Sequence, residues 1–325
     1  MVDRTQGLIF SSAPHLKDDM TTSIAMRDVF LALLPVTLVA IYFFRAYAVA
    51  LIAVCLLTAV LTEVVFRRIM NKKPSLQDGS ALLTGLFVAL LLPPTTAWWT
   101  AAVATFIAIG IAKELMGGLG WNMFNPALFG RVAIIILAPF LPFLNTSYLP
   151  WSIDVVSTAT PLAMLNQGMV MPGYGQLFLA FPGGALSETS ALALLIGGGY
   201  LLYKKHISWH IPASILGTVF ILTLVAGQNP LYHLLTGGLL LGAFFMATDW
   251  VTSPITSKGE VIFGVAIGLL IFLFRVILPP TEGVAFAILI MNPLVPLIDK
   301  VTRRPSFSEP RVTAPGIQEQ QAVKS

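Results

Sequence analysis

Residues 46–66 read AYAVALIAVCLLTAVLTEVVF, a stretch in which Glu63 is the only charge. A helix of about 20 residues is about 30 Å long, which is the thickness of a bilayer's hydrocarbon core. Its apolar residues show neither the alternation of a half-buried strand nor the single stripe of a surface helix. A helix apolar all round belongs in lipid or deep in a core. Runs of the same kind lie at 24–44, 79–92, 97–112 and 127–144, and again at 187–203, 207–226, 231–248, 260–278 and 281–299. The expected fold is therefore all-α: a polytopic membrane protein of about ten transmembrane helices. The runs at 79–92 and 97–112 are short for a crossing, so they are expected to tilt, break or borrow length from flanking turns.

Composition excludes a soluble domain. The chain is 56% hydrophobic and only 10% charged, with a mean hydropathy of +0.84, whereas soluble domains carry roughly 25% charged residues. Cys55 is the only cysteine, which leaves no disulfide framework and no cysteine-held iron–sulfur centre. His15, His206, His210 and His233 show no metal-ligand spacing, so no metal is assigned. Residues 1–19 lack the basic-then-apolar pattern of a cleaved signal peptide.

Cytoplasmic loops of membrane proteins accumulate Lys and Arg. With the N-terminus inside, 17 of the 19 basic residues fall on the inner side, and only Arg45 and Arg275 fall outside. The stretch 145–186 holds no Lys or Arg. Both termini are thus expected in the cytoplasm, and the chain divides into an N-terminal segment 1–23, a first membrane half 24–144, an external loop 145–186, a second membrane half 187–299 and a tail 300–325. The tail, polar and holding Pro310 and Pro315, reads as disordered. The net charge of +4 reflects this topology; no basic-aromatic patch points to nucleic acid.

The third span opens with Leu82-Leu83-Thr84-Gly85 and the eighth with Leu234-Leu235-Thr236-Gly237, five spans later. Asn125-Pro126 and Asn292-Pro293 open or interrupt the fifth and tenth. An odd offset inverts the second copy, so two inverted five-helix repeats are one reading of the chain, and chance matching in a Leu-rich sequence is the other.

Chemistry concentrates in Asp154-Val155-Val156-Ser157-Thr158-Ala159-Thr160-Pro161 of the external loop. Read from the residues alone, Thr160 is an N-cap, Pro161 the first helical position and 161–168 a short surface helix. That structural reading competes with a modification site on the Thr160 hydroxyl. Tyr148, Trp151 and Tyr174 are aromatic candidates for packing against a ring there, or members of an interfacial belt. On the inner side, Gly117-Gly118-Leu119-Gly120-Trp121-Asn122-Met123-Phe124-Asn125-Pro126 is too interrupted for a simple loop. It reads either as a tight packing turn or as a re-entrant segment, in which case Gly117, Gly118, Gly120, Asn122 and Asn125 are candidates for a second flavin or an ion site. No strand precedes it, so it is no dinucleotide fingerprint. Glu63, Asp249, Glu260, Glu282 and Asp299 are expected at the interfaces, where charge costs least, and Lys113 and Glu114 are expected to pair with neighbours or with another subunit.

Several ordered motifs together resemble one family: Asp78-Gly79-Ser80-Ala81 followed by Leu-Leu-Thr-Gly and Pro93-Pro94, the Gly117–Ala127 run, Asp249-Trp250-Val251-Thr252-Ser253-Pro254, and Met291-Asn292-Pro293 continuing to Pro296-Leu297-Ile298-Asp299. Over roughly 11–304 the chain is similar to the D subunit of the Rnf complex and to the B subunit of the sodium-translocating quinone reductase. Its start close to the first span matches the Rnf branch. The resemblance implies a subunit of an ion-translocating complex passing electrons between ferredoxin and NAD, catalytically incomplete alone and set in the cell membrane. It implies FMN joined through a phosphoester to Thr160, the last residue of an Asp-x-x-Ser-Gly-Ala-Thr-like motif that here comprises Asp154, Ser157, Thr158, Ala159 and Thr160, with Pro161 after it. Thr158 departs from the Gly usual at its position. It further implies a flavin transferase for maturation and partners that include other membrane subunits, a second flavin-bearing subunit and iron–sulfur subunits; a second, non-covalent flavin (riboflavin) stays one reading of the Gly117–Asn125 segment. A different class, a secondary transporter or channel for a small solute, predicts the same helices and no chromophore.

Overall fold

A computed structural model describes residues 21–72, 78–145, 161–166, 172–277 and 283–303. Asp154, Ser157, Thr158, Ala159 and Thr160 lie outside the described residues, as do Tyr148, Trp151, Glu282 and the tail beyond 303.

The described chain is helical, as its composition requires. Five helices are long and apolar enough to cross a bilayer: α1 (Thr22–Phe44), α2 (Ala46–Ile69), α4 with its continuation (Trp98–Leu115), α12 (Ser257–Ile277) and the broken helix Gly283–Thr302. Shorter apolar helices are α3 (Ser80–Leu91), α5 (Pro126–Leu137), α8 (Ala191–Tyr203) and α9 (His210–Val225). Thr21 caps α1 by accepting from the Ile24 amide, and Asn125 caps α5, with Pro126 at the first helical position. The solvent is written on the outer faces: Leu57 and Leu61, one turn apart on α2, are each 64% exposed, and Leu38, Ile221 and Val276 are similarly bare. Such faces suit lipid or the apolar surface of a neighbouring subunit.

Several expected spans are not continuous helices. From Ile107 to Leu115 the continuation of α4 is a π-helix. The run 231–248 is three pieces: α10 (Pro230–Leu235), a turn through Gly237 and Gly238, and α11 (Leu239–Leu241) leading into a π-helix at Gly242–Met246. Both turn glycines have positive φ, +68 and +66°, a conformation that side chains disfavour. The last span breaks at Asn292–Leu294 between α13 (Gly283–Met291) and α14 (Val295–Thr302). The two Leu-Leu-Thr-Gly copies therefore differ: the first is helical within α3, the second ends α10 and turns.

Small residues set the closest helix contacts, as lipid offers no hydrophobic drive between helices. Gly197 of α8 lies against the Ala32 carbonyl of α1. Gly264 and Gly268, four apart on α12, admit the Ile211 and Ile215 carbonyls of α9.

Glu63, expected at an interface, is packed among the helices. It is fully buried, and Lys113, 2% exposed, reaches it from the π-helix at 3.2 Å while donating to Ser80 Oγ at 2.7 Å. Arg67 lies 3.2 Å from Glu63 and 3.3 Å from the buried Glu114. Asp78 Oδ1 accepts from the Ser80 backbone amide and hydroxyl at 2.8 and 2.7 Å. Three helical elements are thus joined through compensated buried charge. Removing one partner of such a pair typically costs about 3–5 kcal/mol because the other is left unpaired. Lys113→Met is expected to lower stability by about that amount in detergent unfolding, and Glu63→Gln added to it is expected to restore part of the loss. Gly197→Leu is expected to cost about 1–3 kcal/mol by wedging α8 from α1, measured in the same way.

Candidate functional site

The two candidate regions lie at different parts of the bundle. At the first, α6 (Pro161–Asn166) begins at Pro161, immediately after the position expected to be modified. Pro161 is buried and Leu162 is 1% exposed. Leu162 meets the Gly237 turn, where a Cβ would stand 2.9 Å from its Cδ2 and 3.1 Å from Arg275 Nη2. Only a glycine lets all three approach.

Arg275, within the run 260–278 and counted to the outer side, is buried on α12, 5% exposed. Nη1 donates to the His233 carbonyl at 2.7 Å and Nη2 to the Thr236 carbonyl at 3.0 Å. His233 Nδ1 lies 3.3 Å from Nη1. Arg275 Nε and His233 Nε2 are buried with no hydrogen-bond partner. Behind the turn, Gly238 faces Glu188 Oε1, and Glu188 lines a cavity of about 170 Å³ with Arg131, Gly237 and Gly238. Arg131 lies inside α5, within the expected span 127–144. Tyr174, at the start of α7 (Tyr174–Leu179), stacks on Tyr232 with ring centroids 4.6 Å apart, and its hydroxyl accepts from the Asn229 amide.

At the second region, Gly117, Gly118 and Gly120 all have positive φ, and the turn they form is tied to α2 by Lys72 Nζ, which donates to the Gly117 carbonyl at 3.3 Å. Trp121 and Met123 point outward, 78% and 56% exposed, while Asn122 and Asn125 are each 5% exposed. Asn122 Nδ2 donates to the Phe124 carbonyl at 3.0 Å. Asn125 Oδ1 accepts from Ala127 and Leu128 and its Nδ2 donates to the Met246 carbonyl at 3.4 Å. With its side-chain oxygen turned toward α5, Asn292 accepts from the Asn125 amide at 2.9 Å and donates to the Ile288 carbonyl at 3.0 Å. The two Asn-Pro motifs, distant in sequence, therefore meet.

Two adjoining cavities open beside them. One of about 70 Å³ is lined by Ser80, Lys113, Asn122, Asn125 and Asp249, and one of about 290 Å³ by Phe87, Phe244, Phe245, His206 and Trp250. They share Met26, Leu83, Phe87, Leu119, Phe245, Asp249 and Val251. His206, 4% exposed, holds Asp28 Oδ2 at 2.8 Å through Nε2, while its buried Nδ1 has no partner. Tyr200 donates to Asp28 Oδ1 at 3.3 Å, and Trp250 Nε1 to the His206 carbonyl at 2.6 Å. The result is a largely apolar slot, with amide and ammonium groups lining its smaller part, an imidazole its larger part and the Asp249 carboxylate both. Sequence reading misses Asp28 and His206: 178 positions separate them, and neither sits in a recognisable motif. Arg275 and Lys113 do carry a signal, since an ionisable residue inside an apolar run is costly and seldom idle. Glu260, by contrast, sits near a helix end, 3.1 Å from His210, and Asp299 accepts from the Ile255 amide at 3.0 Å.

A family model described as NQR2, RnfD, RnfE family matches residues 9–308. The chain is 43% identical over 300 residues to the D subunit of the Na(+)-translocating ferredoxin:NAD(+) oxidoreductase complex of Acetobacterium woodii, covering 91% of this chain and 94% of that one. It is 40% identical over 322 residues to the D subunit of the proton-translocating ferredoxin:NAD(+) oxidoreductase complex of Clostridium ljungdahlii, covering 93% and 96%. Against the D subunit of the ion-translocating oxidoreductase complex of Stutzerimonas stutzeri, identity is 41% over 317 residues, covering 86% and 90%. The match spans both candidate regions and every helix described, so this chain belongs to the NQR2, RnfD, RnfE family.

Proposed function

We propose that the chain is the D-type membrane subunit of an ion-translocating ferredoxin:NAD oxidoreductase complex and that it relays electrons through FMN joined to Thr160. It is not catalytically complete alone. In this reading the chain crosses the cell membrane about ten times as two inverted five-helix halves, with both termini in the cytoplasm and the 145–186 loop outside. Its partners are the complex's other membrane subunits, a second flavin-bearing subunit and iron–sulfur subunits, and a flavin transferase matures it.

The observation that supports the flavin assignment lies in α6, described as Pro161–Asn166: Leu162 is anchored beside a buried arginine that has an unused donor. A phosphoester's negative charge would be stabilised by such a donor. The flavin, when bound, supplies the redox chemistry. The chain's part is to anchor, orient and shield it: Pro161 and Leu162 fix the attachment point against the bundle, and the Tyr174–Tyr232 stack stands in the same outer region.

The slot between Asn122 and His206 fits a second, non-covalent flavin such as riboflavin. Its apolar walls suit a planar ring, and Asn122, Lys113 and the unpartnered His206 Nδ1 suit a ring edge rich in hydrogen-bonding atoms.

On a denaturing gel, the protein from cells that contain the transferase is expected to give a fluorescent band, with an FMN-sized mass addition on the peptide spanning 146–186. Thr160→Ala is expected to abolish both while the protein still inserts. A dark wild-type band would return the chain to the transporter reading, with Thr160 a helix cap. Independently, Asn122→Leu is expected to lower the non-covalent flavin released on acid denaturation by about tenfold, the loss of one good buried hydrogen bond or two. Undiminished release would exclude the slot.

A further inference from the structure

We propose that His206, pinned by Asp28, selects the ligand of the inner slot: its Nδ1 is a hydrogen-bond acceptor that admits a ring edge bearing an N–H, as the imide edge of a flavin does. The inference rests on the reading of the slot as a ligand site and adds what chooses the ligand.

The tautomer is the first argument. In a neutral imidazole one nitrogen donates and the other accepts, and the partner of the first fixes the role of the second. His206 Nε2 lies 2.8 Å from Asp28 Oδ2, and Asp28 Oδ1 accepts from the Tyr200 hydroxyl at 3.3 Å. Both carboxylate oxygens are engaged, and a carboxylate only accepts. The ring proton therefore sits on Nε2, and Nδ1 keeps its lone pair.

The second argument is the unmet acceptor. His206 is 4% exposed, and its Nδ1 is buried with no partner. Buried polar atoms are as a rule hydrogen-bonded, so an exception calls for a donor from elsewhere. A proton on Nδ1 would not answer the need, since it would set an unpartnered charged donor in a wall that includes Phe87, Phe244 and Phe245.

The third argument is the company His206 keeps. It lines the cavity of about 290 Å³, where the other side-chain donors are spent: Trp250 Nε1 on the His206 carbonyl at 2.6 Å and Thr248 Oγ1 on the Phe244 carbonyl at 2.7 Å, while Thr22 is exposed to solvent. Among charged groups, Asp249 lines the same cavity and accepts from Thr252 Oγ1 at 3.2 Å, Lys204 stands 5.8 Å from the Tyr200 ring centroid, and Lys113 belongs to the adjoining cavity. A ring edged only with carbonyls would leave Nδ1 unmet. An imide N–H meets it, and the carbonyls that flank an imide suit the ammonium and amide groups of the smaller cavity.

Riboflavin and 3-methylriboflavin differ only at the imide nitrogen, where a methyl group replaces the hydrogen. In full-length Thr160→Ala protein, in which no flavin can attach at that hydroxyl, fluorescence titration is expected to show riboflavin binding about tenfold tighter, as one buried hydrogen bond provides. His206→Phe keeps the bulk of a ring and removes the acceptor, so it is expected to bring the ratio to about one, whereas a ratio set by space alone would survive it. Asp28→Asn, whose amide can donate to Nε2 as well as accept from it, is expected to give a ratio between the two, and an unchanged ratio overturns the part assigned to Asp28. A merely structural histidine would alter yield or stability and leave the ratio alone. A ratio near one in the Thr160→Ala parent, or a preference that survives His206→Phe, overturns the proposal. If His206→Phe protein does not accumulate with Asp28 left unpaired, the double variant Asp28→Asn, His206→Phe carries the test with the same two outcomes. No detectable binding of either flavin overturns the slot reading and the inference together, whereas binding with a flat ratio removes the inference and spares the slot.

Discussion

In hydrocarbon a main-chain carbonyl without a partner costs several kcal/mol, and this fold interrupts its helices inside the bundle. What makes the interruption tenable at the end of α10 is Arg275, whose two terminal nitrogens take the His233 and Thr236 carbonyls that the broken helix leaves open. The turn at Gly237 and Gly238, the seat of Leu162 and the entry of α6 into the core all follow from that one side chain. The matching break at the other candidate site is closed by amides: Asn125 serves α5 and the Met246 carbonyl, and Asn292 serves Ile288 and the Asn125 amide. Irregular backbone is confined to places where protein supplies the bonds that water would otherwise make.

Buried charge follows the same economy. Glu63, Arg67, Lys113 and Glu114 form a neutral set whose members are kept from water by one another and by Ser80. The π-helix at Ile107–Leu115 gives a wider turn than an α-helix and brings Lys113 to face α2 and α3 from one element. Rigid ionic ties of this sort fix the walls of the slot at Asn122, so the volume available to a ligand there is set by electrostatics as much as by packing.

The readable and unreadable parts of the sequence divide along physical lines. Helices α1 and α2 are legible because length and hydrophobicity suffice for a span, and α5 because Asn125-Pro126 is a cap and a first-turn residue in one dipeptide. The 236–238 break is illegible: Gly237 and Gly238 lie in a Leu-rich run that passes any hydropathy window, and the arginine that stabilises the break comes 39 positions after Thr236. Glu63 reads as interfacial because its partner Lys113 lies 50 residues on, and pairing at that range leaves no mark on local composition. The hydroxyl-rich motif at 154–160 is legible only as a helix start from its residues, and as a flavin site only through the family; it lies outside the described residues, and α6 after it buries Pro161 and Leu162, where the residues predict a surface helix.

The junction of α1 and α2 has a bearing on how such a chain can be probed. Arg45 alone joins two helices of 23 and 24 residues, at φ +48°. With no slack between them, the position of one helix end fixes that of the other to within a residue's length. The same brevity leaves no loop there for a protease to cut or a sugar to occupy, and a reporter sequence spliced in at residue 45 would record the topology of an altered protein.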